Sequence, residues 1–381
     1  MVGLSSKGNK FSLGFFGNSE AYDVTDKVSS AALLVTTDDE GPVNFTVKYF
    51  NTSLTRTAWR GQTTRIDLPT SIRNNDIRVQ NDTERNKAIH VKAEGDKLLT
   101  VYGISAVSSD MFEGFLALPC HLYENVSKYK YTVFSAQTDN TGSLTAELRK
   151  SRILIVACDQ EENTDVDIVL TDFVEVTWDE RKQYFKGNTL KLGNTLTPGG
   201  TVMIETAAGG DLSGTFIRSK KPISVFVGHR CAQVPTGKDH CNYIVEQIPP
   251  DVTWGTKFFT VPLDLRQSGE RYRIETTQKT DVLVNITCTT EGEAQPRMVE
   301  NKHNIIIKRF QHLEFDTLVN CSNSTGGRSS CRREFCCIET SEPAIVMMYG
   351  KGDQLDKVRP PEESDSFGAW GDPTMVLVPP V

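Results

Sequence analysis

Apolar and polar residues alternate over short stretches of this chain, and Gly, Pro, Asn and Asp punctuate the gaps between them. VNFTV (Val43–Val47), TRIDL (Thr64–Leu68), VDIVL (Val166–Leu170) and LEFDT (Leu313–Thr317) show the period of two that turns one face of a strand inward and the other outward. These pieces are rich in Val, Ile, Thr and aromatic residues, which suit a pleated, half-buried surface. No convincing run places apolar residues at i, i+3, i+4 and i+7, so the pattern predicts an all-β chain.

The pieces recur. AIHVKAEGDKLLTVYG (Ala88–Gly103), TFIRSKKPISVFVG (Thr215–Gly228) and CCIETSEPAIVMMYG (Cys336–Gly350) each read as an alternating strand, a charged or Pro-bearing turn, an apolar strand and a Gly. Each has the signature of a hairpin, and the closing glycines are 125 and 122 residues apart. An apolar strand ending in Pro follows each: FLALP (Phe115–Pro119), IVEQIPP (Ile244–Pro250) and MVLVPP (Met375–Pro380). Openers also match, with KFSLGF from Lys10, KYTVF from Lys130 and KFFTV from Lys257. Next come ALLVTT (Ala32–Thr37), ILIVACD (Ile153–Asp159) and YRIETT (Tyr272–Thr277), then VNFTV, VDIVL and VLVNI (Val282–Ile286), then TRIDL, VMIET (Val202–Thr206) and LEFDT.

Six kinds of match in one order, three times over, predict three pseudo-repeats of about 125 residues with seven to eight strands each. The expected units are 1–120, 121–250 and 251–381. A propeller-like ring would leave only protected strand edges; three tandem β-sandwich units are the alternative. Tyr102, Phe226 and Met348, just before the marker glycines, are expected in equivalent buried positions.

Composition narrows the function. The 381 residues carry 42 Lys+Arg against 49 Asp+Glu, a net charge of −7, which argues against a nucleic-acid partner. The longest apolar runs, such as Ala31–Val35 and Ile153–Cys158, are far short of the ~20 residues a spanning helix needs, so no membrane span is expected in this chain. Of nine cysteines, seven lie between residues 231 and 337, and no CxxC pair occurs, so disulfides are the plain reading. Asn-X-Ser/Thr acceptor sites stand at Asn44, Asn51, Asn81, Asn125, Asn285, Asn320 and Asn323. Together they predict a secreted or extracellular protein. The opening MVGLSSKGNKFSLGFF lacks the apolar segment of a signal peptide, so the chain is read as a fragment.

The sharpest local feature is GHRCAQVPTGKDHC, Gly228–Cys241. A disulfide between Cys231 and Cys241 would close this short loop and add about 3 kcal/mol on the chain-entropy model. Two alternatives stay open: a zinc set of His229, Cys231, His240 and Cys241, and a thiol nucleophile with a His base. The loop offers Arg230, Lys238, Asp239 and His240 as polar contacts for a partner; the plain alternative is a structural cap packed on Trp254. Cys321 and Cys331, which flank SNSTGGRSS, are expected to pair. Cys120 and Cys158 could join each other, Cys288 could take Cys336 or Cys337, and the odd thiol is free or bridges to another chain. The acidic clusters Asp159–Glu162 and Glu362–Asp365 read as solvated surface. No phosphate loop, nucleophile elbow or HExxH is present, so no catalytic residue, metal or cofactor is expected.

With these residues in view, the chain resembles the N-terminal domain family of IgG Fc-binding protein. SKKPISVFVGHRC (Ser219–Cys231), CNYIVEQIPP (Cys241–Pro250), TWGTKF (Thr253–Phe258) and GDPTMVLVPPV (Gly371–Val381) carry the likeness. In the first copy Glu94-Gly95-Asp96-Lys97 replaces the Pro-bearing turn. The resemblance implies a secreted, non-enzymatic binding or adhesion module of a mucus, matrix or cell-surface protein, with an extracellular protein or glycan as partner. Immunoglobulin Fc is implied only if the source animal has it. The alternatives are a structural spacer in a disulfide-linked polymer and, behind that, a glycan-acting hydrolase.

Overall fold

The computed structural model describes residues 5–16, 30–69, 73–74, 87–106, 112–120, 129–135, 149–171, 174–175, 183–184, 187–191, 196–236, 241–263, 268–277, 281–290, 297–298, 304–308, 311–322, 330–352 and 373–381. Among them there is no α-helix; a single 3-10 turn, Asp251–Thr253, interrupts the strands. The all-β expectation holds.

The first eight main strands are β1 (Lys10–Leu13), β2 (Ser30–Thr36), β3 (Val43–Tyr49), β4 (Thr52–Ala58), β5 (Thr64–Leu68), β6 (Ile89–Ala93), β7 (Leu99–Ala106) and β8 (Phe112–Leu116). They form two antiparallel sheets, ordered β1-β6-β3-β4 and β5-β2-β7-β8. The next eight are β9 (Tyr129–Thr132), β10 (Ser151–Ala157), β11 (Val166–Val169), β12 (Thr189–Lys191), β13 (Thr201–Glu205), β14 (Phe216–Ser219), β15 (Ile223–Ala232) and β16 (Asn242–Ile248). Their sheets run β9-β14-β11-β12 and β13-β10-β15-β16. The last are β17 (Gly255–Phe259), β18 (Glu270–Thr276), β19 (Val282–Thr290), β20 (Ile305–Ile307), β21 (His312–Asp316), β22 (Ser330–Gly350) and β23 (Thr374–Val378). Here the orders are β17-β22-β19-β20 and β21-β18-β22-β23. The 21-residue β22 belongs to both and joins them into one nine-stranded sheet.

The four small sheets of the first two groups stand in a propeller-like arrangement, and their faces close pairwise over apolar cores. Phe11, Leu13, Leu33, Phe45, Val91 and Val101 fill the first core; Tyr131, Ile153, Ile168, Val202, Ile217 and Val225 fill the second; Tyr272, Ile286, Phe315, Ile338 and Met348 fill the third.

Two local expectations need correction. The segments Ala88–Gly103, Thr215–Gly228 and Cys336–Gly350 are not hairpins. β6 lies in one sheet and β7 in the other, and β14 and β15 divide the same way. In the third segment the strand runs on without a break. The charged or Pro-bearing turn is a corner at which the chain crosses between sheets. Tyr102 is also not buried: its side chain is 42% exposed on the outer face, whereas Phe226 and Met348 are buried. Phe226 points outward too, but there it meets the first group, with the ring of Phe115 4.9 Å away, edge to face. Met348 points inward, into the third core.

The groups are tied through β16. Successive side chains on a strand point to opposite faces, and Glu246 and Gln247 use this to reach in two directions. The Glu246 carboxylate accepts the Leu377 N–H at 3.3 Å, within β23 of the third group. The Gln247 amide accepts the Leu118 N–H at 2.9 Å, just past β8 of the first. Asp251, directly after, accepts the Thr132 N–H at 2.7 Å, fastening β9. The disulfide Cys120–Cys158 adds a covalent tie between the first group and the end of β10.

Burial pushes the Glu246 carboxyl up to about 8 and the Asp251 carboxyl up to about 6, against the backbone N–H donors that oppose the shift. It pushes the His229 imidazole down to about 3, helped by Arg152. A carboxyl raised in the folded state makes folding take up a proton, so its stabilisation is lost as pH rises toward 8. A histidine lowered in the folded state has the reverse effect below its ordinary value near 6.5. We therefore expect stability to rise as pH falls from 8.5 to 6.5, by about 1–2 kcal/mol from Glu246; below 6.5 the loss from His229 offsets the continuing gain from Glu246, and Asp251 adds a gain below its raised value. Urea unfolding across that range measures the slope, and Glu246→Gln should reduce it above pH 6.5, leaving the share of Glu275, whose carboxyl burial also raises.

Candidate functional site

The loop between β15 and β16 grows from a buried root. Cys231 is fully buried and joined to Cys241, so neither sulfur is a thiolate metal ligand or nucleophile. His229 is also fully buried, and its Nδ1 accepts the Cys231 N–H at 3.1 Å. Burial keeps this imidazole neutral, with its Nδ1 lone pair already engaged by the backbone. Arg230 turns inward. Its Nε lies 3.2 Å from Glu205, which also binds Arg152 at 2.5 Å and Lys150 at 3.2 Å. A carboxylate with three cations around it is well compensated for burial, and Arg230 is largely committed to it. Lys238, Asp239 and His240 lie outside the described residues. Val234, at the start of the loop, shares the second core with Trp254, as the structural account of the loop expects.

A polar cleft of about 130 Å³ opens between this loop and the third group. Val234, Pro235 and Thr236 form one wall; Arg271, Arg273, His312, Glu314 and Tyr349 form the other. Residues on β18 and β21 alternate in charge across the ladder, with Arg273 opposite Glu314 and Arg271 opposite Asp316. Arg273 is nearly buried. It bonds Glu314 at 2.7 Å, donates to the Ser135 carbonyl, and lies 5.6 Å from the Phe134 ring centroid. Arg271 is a quarter exposed and bonds Asp316 at 2.8 Å. Burial, then Arg273, holds His312 below its ordinary value, with Glu314 opposing. The cleft is therefore a rigid lattice of fixed charges, suited to hydrogen-bonding a partner's carbonyl, hydroxyl or carboxylate groups. The carboxylate in its lining among the described residues, Glu314, is bound by Arg271 at 3.5 Å and Arg273 at 2.5 Å. The sequence pointed to the loop but not to this second wall, because β18 and β21 read only as scaffold strands.

Of the acceptor asparagines, Asn44 and Asn51 are exposed and Asn285 is half-buried. Asn320 is described through its backbone, opposite Arg332; Asn81, Asn125 and Asn323 lie outside the described residues. No helix is long and apolar enough to cross a membrane, among the described residues.

A family model described as IgGFc binding protein matches residues 113–381, from β8 through the cleft to the end of β23. The chain belongs to this family. The human IgGFc-binding protein is 37% identical over 87 residues, which cover 23% of this chain and 2% of that protein. The chain thus corresponds to a small part of that relative.

The cysteines give a sharp expectation for the family fold. Cys288 and Cys336 face each other across β19 and β22 and are joined. Cys321 stands opposite Cys331 in the same kind of antiparallel register. Peptide mapping without reduction should find Cys321–Cys331 beside the three bonds Cys120–Cys158, Cys231–Cys241 and Cys288–Cys336, with Cys337 as the free thiol. Cys231→Ser should cost about 3 kcal/mol, read by thermal or urea unfolding.

Proposed function

We propose that this chain is an extracellular, non-enzymatic binding module that engages a protein or glycan through the β15–β16 loop and the cleft below it. The carrying observation is the disulfide-closed loop standing over an open cleft of fixed charges. A pre-shaped loop loses little entropy on binding, and function on such scaffolds usually lies on loops. Membership of the IgGFc binding protein family supports the class. Three units at 1–120, 121–250 and 251–381 would then serve as scaffold for this contact surface. Immunoglobulin Fc is a partner only where the source animal has it. Secretion, and placement in mucus, matrix or at a cell surface, accord with three disulfides and with two exposed acceptor asparagines.

A spacer role in a disulfide-linked polymer is favoured by one observation, the partly exposed free thiol of Cys337. Non-reducing gels of wild type and Cys337→Ser separate it from the binding role.

Made behind a heterologous signal peptide in animal cells, the chain should be secreted, and N-glycosidase should lower its mass. Asn44→Gln and Asn51→Gln should each reduce that shift. Against an immobilised human IgG Fc fragment, Lys238→Ala/His240→Ala should weaken any binding at least tenfold with an unchanged melting temperature. Undiminished binding would move the contact off the loop.

A further inference from the structure

The first group carries a second recess, remote from the loop, on the outer face of sheet β1-β6-β3-β4. A hollow of about 430 Å³ is bounded by Thr46, Lys48, His90 and Lys92 of β3 and β6, and by Gln160 from the second group. A smaller one of about 190 Å³ shares Lys48, His90 and Gln160 and extends to Tyr49, Phe50 and Pro198. The two form one groove.

Its charge is the first clue. Thr46 pairs with Lys92 and Lys48 with His90, so both lysines rise from adjacent strands on one face. Neither has an ion-pair partner among the described residues, although the chain as a whole has a net charge of −7. The carboxylate at the rim, Glu94, is held by the Asn44 amide at 3.2 Å. His90 is anchored by Ser12, 2.9 Å from its Nδ1. Among the described residues the groove thus presents two ammonium groups without an ion pair, beside a hydroxyl and an amide.

Its shape excludes one class of ligand. β3 and β6 are inner strands of their sheet, so their backbone groups are paired and an extended peptide finds no free edge to join.

The aromatic end supplies the third clue. Phe50 occupies the tip of the β3–β4 hairpin at φ +48°, with its side chain 42% exposed. Such turns favour Asn or Gly, and a bulky residue there costs free energy. Folding gains little from an exposed ring in a strained position. A flat apolar ring beside hydrogen-bonding groups and cations matches the face, hydroxyls and acidic group of a charged sugar.

We propose that this groove binds an acidic saccharide, one whose sugar ring bears a carboxylate or a sulfate. Phe50 stacks on the ring, Lys48 and Lys92 hold the acidic group, and Thr46 and Gln160 bond its hydroxyls. The site shares the binding-module reading of the chain but uses none of the loop residues.

Calorimetric titration tests it with 3′-sialyllactose, a heparin tetrasaccharide and neutral lactose. The chain carries Asn44→Gln and Asn51→Gln throughout, so that no glycan at either neighbouring acceptor fills the groove. At least one acidic saccharide should bind tenfold or more tighter than lactose and weaken as salt is raised. Lys48→Ala/Lys92→Ala should cost at least a further tenfold. Phe50→Gly should also weaken binding while holding or raising the melting temperature, since glycine relieves the backbone. Lys238→Ala/His240→Ala should leave saccharide binding unchanged, so failure at this groove is distinguishable from failure at the loop. Lactose binding as well as the acidic sugars, saturable binding of neither, or an unaffected double-lysine variant would overturn the proposal.

Discussion

One sheet has no solvent face, and the rest of the molecule is arranged around it. Every described residue of β10, β13 and β16 is buried. On one side Ile153, Ile155 and Val225 close the second core; on the other Leu154, Val156, Met203 and Phe226 complete the first. A sheet covered on both sides must keep its polar groups satisfied without water. This explains why Arg152 and Glu205, both within it, are tightly paired, and why Glu246 and Gln247 on its edge strand spend their side chains on neighbouring backbone groups. It also accounts for Gly228, where a Cβ would strike the Ile244 carbonyl and crowd Phe16.

The third group repeats the contact one step on. The outer face of its β18–β22–β23 layer, with Ile345, Met347, Tyr349 and Met375, packs into the second core beside Val133, Phe134 and Trp254. The cleft under the β15–β16 loop is what remains open at this seam. The saccharide groove has the same origin, since Gln160 and Pro198 of the second group wall strands of the first. Both recesses therefore lie where residues of one group meet those of another.

The strands were legible because alternation is a local signal. Every opener, every Pro-ending segment and every VNFTV-like or TRIDL-like piece marks a strand. The corners were not. A turn of EGDK or KKP composition serves equally well to reverse a chain within a sheet or to carry it across to another, and only the partners of the flanking strands decide. Tyr102 was misjudged for a related reason: its apolar neighbours suit either face, and what covers the outer face comes from another part of the chain. The loop was legible from its two cysteines and its proline. Neither recess was, because Lys48, His90 and Gln160, or Thr236 and Arg271, become neighbours only once separate groups have docked.

The unbroken course of β22 has a mechanical side. It is hydrogen-bonded to β17 and β19 along its first part and to β18 and β23 along its last. A pull along its axis would load those ladders in parallel, so that many bonds must shear together, whereas an end-on peel would break them one at a time.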